Sequence, residues 1–307
     1  MTTHLSYQHA INTIRLMYEQ QGFKIPTATL GEQVRNEIGI DIKEAPYAAL
    51  YAFIDEYIAL MRKQSIYFLS ACHTKNAIAT VFYRLSIRQL RTLTSIRTLC
   101  SYGLDSNARL LLRLLYETTL LWVRFRIDND CLLEYSECNT PEAANQFWHK
   151  YLSKEKTERY IEKQISEQGL CWLGGDKNII GDMKKKLSLV AHPTFLSDYY
   201  ETLSDWREAP SECGVTKPSE MSYFTLVNSI TVTAIPFSIF PAPPYNIEAK
   251  SLRNNTTDWN PIHETESWDD YNSQIRNMFP VLFLMAIRFF EGFDTQKSDQ
   301  SSMTSNE

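Results

Sequence analysis

Glycine is scarce in this chain, with 10 residues among 307. A turn-rich β protein needs glycine for its positive-φ hairpins, so the scarcity favours long helices over that class. No Walker loop, no G-x-G-x-x-G and no G-x-S-x-G is present, and the Gly174-Gly175 pair is too short to cradle a phosphate. The six cysteines, at 72, 100, 131, 138, 171 and 213, form no C-x-x-C pair, and no histidine spacing completes a zinc pattern. No metal and no cofactor is expected. A secretory signal is also missing at the N-terminus, which points to a cytoplasmic protein with reduced, buried thiols. Apolar runs long enough to span a bilayer are lacking too. Met278 to Ile287 holds only ten residues between arginines, and Met221 to Ile247, though uncharged, is interrupted by Asn228 and by prolines 236, 241, 243 and 244. That second stretch reads as a buried helix over about 218–235 followed by a proline-rich turn, and no stable membrane insertion is expected.

The composition is that of an ordinary globular protein, 44% hydrophobic and 22% charged, with a net charge of −5. So mild an acidity argues against a general nucleic-acid coat and leaves room for a local basic site. Apolar residues recur at helical spacing along most of the chain. Helices are predicted over 3–21, 29–39, 46–72, 76–102, 105–127, a short piece at 131–137, 141–153, 154–168, 176–191, about 218–235, and 267–291 with a kink at Pro280. Thr140-Pro141-Glu142 is a helix start, with threonine as N-cap and proline in the first turn. Gly103 suits a C-cap, and Asp105 or Ser106 suits the next N-cap. The fold class is therefore all-α, a helical bundle of about ten helices around a central antiparallel pair, 76–102 and 105–127. It is expected as a single domain over 1–293. Helices of 1–75 pack on a core of 80–195, helices of 196–293 follow, and residues 294–307 form a disordered tail.

Lysine is absent between Arg84 and Arg126, where eight arginines stand against two acids, Asp105 and Glu117. That segment carries six net positive charges, so the rest of the chain carries −11. On a helical wheel of about 100° per residue, Ser106, Arg109, Arg113, Tyr116, Glu117, Leu120 and Arg124 share one sector of 105–127, while leucines fill most of the circumference. A helix this apolar is expected to be buried, with its charges paired or facing a cavity. The preceding helix carries Arg84, Arg88, Arg91, Ser95 and Tyr102 on one face, and the two stripes are expected to oppose each other. Arginine chosen over lysine favours planar contacts to carboxylate or phosphate. The stripe thus reads either as an anion site, with Arg88, Arg109, Arg113 and Ser188 as anion-binding residues, or as an internal Arg–Glu network that pins helix register.

A second polar cluster runs from Met183 through Lys184-Lys185-Lys186 to Ser188 and His192-Pro193. Ser188 and His192 are four apart and share a helix face. His192, at the last turn, is either a carbonyl cap or a general acid/base beside the arginines. The lysine run is a solvated face or a phosphate contact.

The run Ile96-Arg97-Thr98-Leu99-Cys100-Ser101-Tyr102-Gly103-Leu104, followed by Ala108-x4-Arg113-x3-Glu117 and later by Leu187-Ser188-x3-His192-Pro193, resembles an uncharacterised bacterial helical family, the domain of unknown function fifty-six seventy-seven. The resemblance covers about 80–195. It implies that Arg113, Glu117, Ser188 and His192 meet in space, and it supplies no activity. A second resemblance is to the HEPN ribonucleases, helical bundles that carry Arg-x4–6-His. Here Lys186-x5-His192 stands in that place, with lysine where arginine is expected.

Two functions follow as expectations. One is an effector of bacterial stress or phage defence acting on RNA or a small phosphate-containing ligand, with His192, Glu117 and Arg113 as catalytic residues. The other is a non-catalytic module that binds an anion or a protein, with the same cluster as a structural network. A homo-oligomer is compatible with either.

Overall fold

The computed structural model describes residues 6–20, 30–39, 42, 45, 47–72, 77–167, 170–172, 183–185, 187–188, 222–237, 239–241, 282–284 and 286. Over these residues the protein is an all-α helical bundle. Its helices are α1 (Tyr7–Gln20), α2 (Leu30–Ile38), α3 (Ala48–Cys72), α4 (Ala77–Ser101), α5 (Asp105–Ile127), α6 (Asn129–Ser136), α7 (Pro141–Phe147), α8 (Lys156–Glu167) and α9 (Ser222–Ala234). None of the described helices is long and apolar enough to cross a membrane.

The antiparallel hairpin of α4 and α5 is present, closed by three residues. Gly103 adopts φ 70, and its N–H donates to the Cys100 carbonyl (3.0 Å) while the Leu104 N–H donates to the Leu99 carbonyl (2.9 Å). This pair of bonds is the Schellman ending, which needs a left-handed residue and therefore favours glycine. The N-cap expectation is corrected: Leu104 occupies that position without a side-chain bond, and Asp105 is the first helical residue. Its carboxylate is taken by another partner, Ser222 of α9.

The centre of the bundle is wider than the expected pair, because α3 packs against α1, α2, α4 and α9. Every residue from Ala48 to Met61 is buried. A helix stretch that is apolar around most of its circumference must be enclosed there, and α3 over 48–61 is such a stretch, broken by Asp55 and Glu56. The main core draws on residues from Tyr7 to Ala286. A second, aromatic cluster joins Phe68, Phe82 and Trp122 to Phe125, Phe147 and Tyr151, with Trp122 edge-on to both Phe68 and Phe82.

Thr140 caps α7 as its sequence predicts, with Oγ1 accepting from the Ala143 N–H (3.2 Å) and Pro141 in the first turn. The helix expected over 141–153 continues from α7 through a π-type stretch at Trp148–Leu152. The junction expected at 153/154 is a tight turn at Ser153–Glu155, where Lys154 and Glu155 take positive φ. The chain also forms a small antiparallel ribbon that no alternation pattern announces, Leu170–Trp172 (β1) against Ile239–Pro241 (β2), with Cys171 opposite Phe240. Each strand is three residues long, so the all-α class stands. The predicted helix 176–191 is described at 183–185 and 187–188, where Met183 and Leu187 enter the main core.

Candidate functional site

The polar stripes of α4 and α5 do not face each other. On α4 the buried side carries Leu85, Gln89, Leu93, Ile96, Arg97 and Cys100, which leaves Arg84, Arg88, Arg91, Ser95 and Tyr102 exposed to water. On α5 the exposed residues include Asn107, Leu110 and Glu117, while Thr118 to Phe125 is buried throughout. The expectation of a buried Arg–Glu pair is therefore corrected. Arg113 Nε does meet Glu117 Oε1 at 3.2 Å, but the two side chains are 36% and 57% exposed. One side of α5, with Asn107, Leu110 and Glu117, lies at the surface of the bundle, so a pair one turn apart there closes on itself in water. Tyr116, beside it, feels the charges of Glu158, Glu162, Glu155 and Glu117, and after burial these push its hydroxyl pKa up. The surroundings of Glu117 are thus acidic, and a second anion is disfavoured there.

Two other arginines of α5, Arg109 and Arg124, turn inward. Arg109 is buried with its guanidinium 5.7 Å from the ring centre of Phe224. Arg124 holds Asp128 through Nη2 (2.8 Å) and Nε (3.2 Å), and lies 4.0 Å from the Tyr160 ring centre. Asp128 in turn caps α6 by accepting from the Cys131 N–H (3.0 Å). Both arginines are scaffold elements.

Ser188 is half-buried, one turn beyond Lys184. Lys184 is neither solvated nor free for phosphate: Nζ pairs with Glu158 (2.7 Å) and Glu155 (3.6 Å), which ties this segment to α8. His192 and the Lys186 side chain lie outside the described residues. Of the expected catalytic set, Arg113 and Glu117 are therefore adjacent, at the surface.

The buried charge that sequence reasoning missed lies in α3. Asp55 and Glu56 stand side by side in Tyr51-Ala52-Phe53-Ile54-Asp55-Glu56-Tyr57-Ile58, both fully enclosed. Asp55 receives Arg97 Nε (2.9 Å), Arg97 Nη2 (3.3 Å) and the Tyr7 hydroxyl (2.9 Å). Burial raises its pKa, and the Arg97 guanidinium works against that rise. Glu56 accepts from the Tyr18 hydroxyl and from the Gly31 N–H (2.8 Å), so one carboxyl joins α1, α2 and α3. Burial pushes the Glu56 carboxyl up to about 7. The signal was two acids with apolar neighbours on both sides in one helix. Such acids need internal partners, and these are Arg97, Tyr7 and Tyr18.

Among the described residues, no group of three His, Cys, Asp or Glu side chains is placed to hold a metal ion. Cys72, Cys100, Cys131 and Cys138 are free thiols, and burial raises Cys100 and pushes Cys131 up to about 12. Thiols so raised are poor nucleophiles.

No family model, curated protein or solved structure matches the chain.

Among the described residues, the outer face of α4 is open to a ligand. Arg84, Arg88 and Arg91 are exposed at positions i, i+4 and i+7, and none of them meets a carboxylate within ion-pair distance among the described residues. The whole of α4 contains no acid. Its fourth arginine, Arg97, points the opposite way and is consumed by Asp55. The acids of α3 and α5 are also committed. Asp55, Glu56 and Asp105 are buried, and Glu117 pairs with Arg113.

Proposed function

We propose that the protein is a cytoplasmic RNA-directed protein that grips the phosphate backbone through the outer face of α4, with Arg84, Arg88 and Arg91 as the contact residues. The observation that carries this reading is the row of three exposed arginines, without counter-ions among the described residues, in a chain of net charge −5. Like charges at i,i+4 cost a helix about 0.2–0.5 kcal/mol per pair. A sequence that keeps three of them on an acid-free helix gives up stability unless an anion meets them. At about 1.5 Å of rise per residue, the guanidiniums repeat at about 6 Å and then about 4.5 Å along the axis. A repeating anion suits such a row better than a single small one. Arginine, with its planar fork, holds phosphate oxygens in pairs. Of the anion-binding residues expected from the sequence, Arg88 carries the reading forward. Arg109 and Arg113 are engaged elsewhere.

The effector reading adds chemistry on the bound RNA, with His192 as the proton-transfer group; its support is the Lys186-x5-His192 spacing that resembles the HEPN ribonucleases, with lysine in the arginine's place. Binding and chemistry separate in one experiment. Purified protein is incubated with total RNA as wild type, as Arg84→Gln/Arg88→Gln/Arg91→Gln, and as His192→Ala. The reading expects retention of RNA by wild type and His192→Ala, loss of retention in the triple variant, and cleavage products from wild type alone. Equal retention by the triple variant would remove α4 as the binding face. Intact RNA with wild type would leave a binding protein without nuclease activity.

A further inference from the structure

We infer that the nucleic acid on α4 is single-stranded, and that Tyr102 stacks on one of its bases. This rests on the reading of α4 as the phosphate-binding face. Tyr102 stands in the turn just past the end of α4, 18 residues or five helical turns after Arg84, so it continues the line of the arginine row about 27 Å further on. Between them Ser95 keeps an exposed hydroxyl on the same line. The Tyr102 side chain is 46% exposed, and its ring makes no ring–ring contact or side-chain hydrogen bond among the described residues. Leu104, two residues on, is also partly exposed. The face therefore runs from three cations through a hydroxyl to an open aromatic ring.

That order of groups suits an unpaired strand. A single row of cations follows one backbone, whereas a duplex presents two and is recognised across its grooves by contacts to both. An exposed ring on a helix finds a base face only where the bases are not already paired and stacked. Arginine along a backbone with an aromatic platform beside it is the recurrent means of holding single strands without reading their sequence.

The test uses fluorescence anisotropy with a short oligoribonucleotide of mixed sequence, and with the same strand annealed to its complement. Wild type should bind the single strand at least tenfold more tightly than the duplex. Tyr102→Ala should weaken single-strand binding about tenfold, within the range that base–aromatic stacking supplies. Its dependence on salt should stay that of wild type, because no phosphate contact has been removed. Tyr102→Phe, which keeps the ring, should bind more tightly than Tyr102→Ala. Equal affinity for strand and duplex overturns the inference, as does a Tyr102→Ala protein that binds like wild type. Either result leaves the arginine reading standing as long as Arg84→Gln/Arg88→Gln/Arg91→Gln loses binding to both forms. Failure of wild type to bind either form overturns both.

Discussion

Replacing Arg97 by methionine should cost about 3–5 kcal/mol of stability, the range seen when one member of a buried ion pair is removed. Arg97 and Asp55 are both 0% exposed, and the guanidinium reaches the carboxylate through two nitrogens, at 2.9 and 3.3 Å. Methionine fills much of the space of the arginine stem, so cavity formation contributes little. What is left is a buried carboxyl with the Tyr7 hydroxyl as its remaining hydrogen-bond donor. Against a typical total of about 5–15 kcal/mol, a loss of that size is a third or more of the stability. Arg113→Met is the matched control. It also breaks an arginine–acid pair, but an exposed one, and should shift stability by no more than about 0.5 kcal/mol. The assay is urea unfolding followed by circular dichroism, read as a shift in midpoint at constant slope. Adding Asp55→Leu to Arg97→Met should recover part of the loss, since the stranded charge is then gone. If Arg97→Met and Arg113→Met unfold within about 1 kcal/mol of each other, the α3–α4 pair is not the ionic anchor described above.

Glu56 makes stability fall as pH rises. Its carboxyl is raised from 4.5 to about 7 in the fold. Below about pH 4.5 it is protonated in both states. Between there and about pH 7 the unfolded chain releases the proton while the folded chain retains it, a loss of about 3 kcal/mol at 1.36 kcal/mol per unit. Glu56→Gln, which can accept from Gly31 and donate to Tyr18, should remove this slope and be more stable than wild type at pH 8. Parallel pH profiles for the two proteins would refute the assignment. Gly31→Ala should destabilise by about 1–3 kcal/mol in thermal melts, as overpacking usually does. Its Cβ would lie 2.7 Å from the Glu56 backbone nitrogen and 2.8 Å from Glu56 Oε2, and a melt like that of wild type would mean that α2 does not seat so closely on α3.

Much of the fold is legible in the sequence because its cues are local. The spacing of Ile11, Ile14 and Met17 sets α1, with Leu16 of the same run left exposed, and Thr140-Pro141 sets the start of α7. Gly103 closes α4. The junction at 153/154 is legible too, but the π-type stretch at Trp148–Leu152 and the positive φ of Lys154 and Glu155 are not, because neither glycine nor proline marks them. The β1–β2 ribbon is too short to show an alternation, and its strands lie far apart in the chain. In the site, residue spacing shows that Arg113 and Glu117 touch. It does not show whether another helix covers them, and none does so completely. The same limit applies to α4. Its stripe of arginines was readable, but its orientation toward solvent was decided by α3, whose Asp55 draws Arg97 in on the opposite side.

The salt dependence of RNA binding tests the central claim most directly. Each phosphate neutralised on a single strand contributes about 0.7 to the slope of log K against log salt. Labelled single-stranded RNA is titrated with wild type and with Arg84→Gln/Arg88→Gln/Arg91→Gln over a range of salt concentrations. If the three arginines of α4 hold the backbone, the triple variant binds more weakly at low salt and its slope is shallower by about 2. Equal slopes and equal affinities in the two proteins would contradict it.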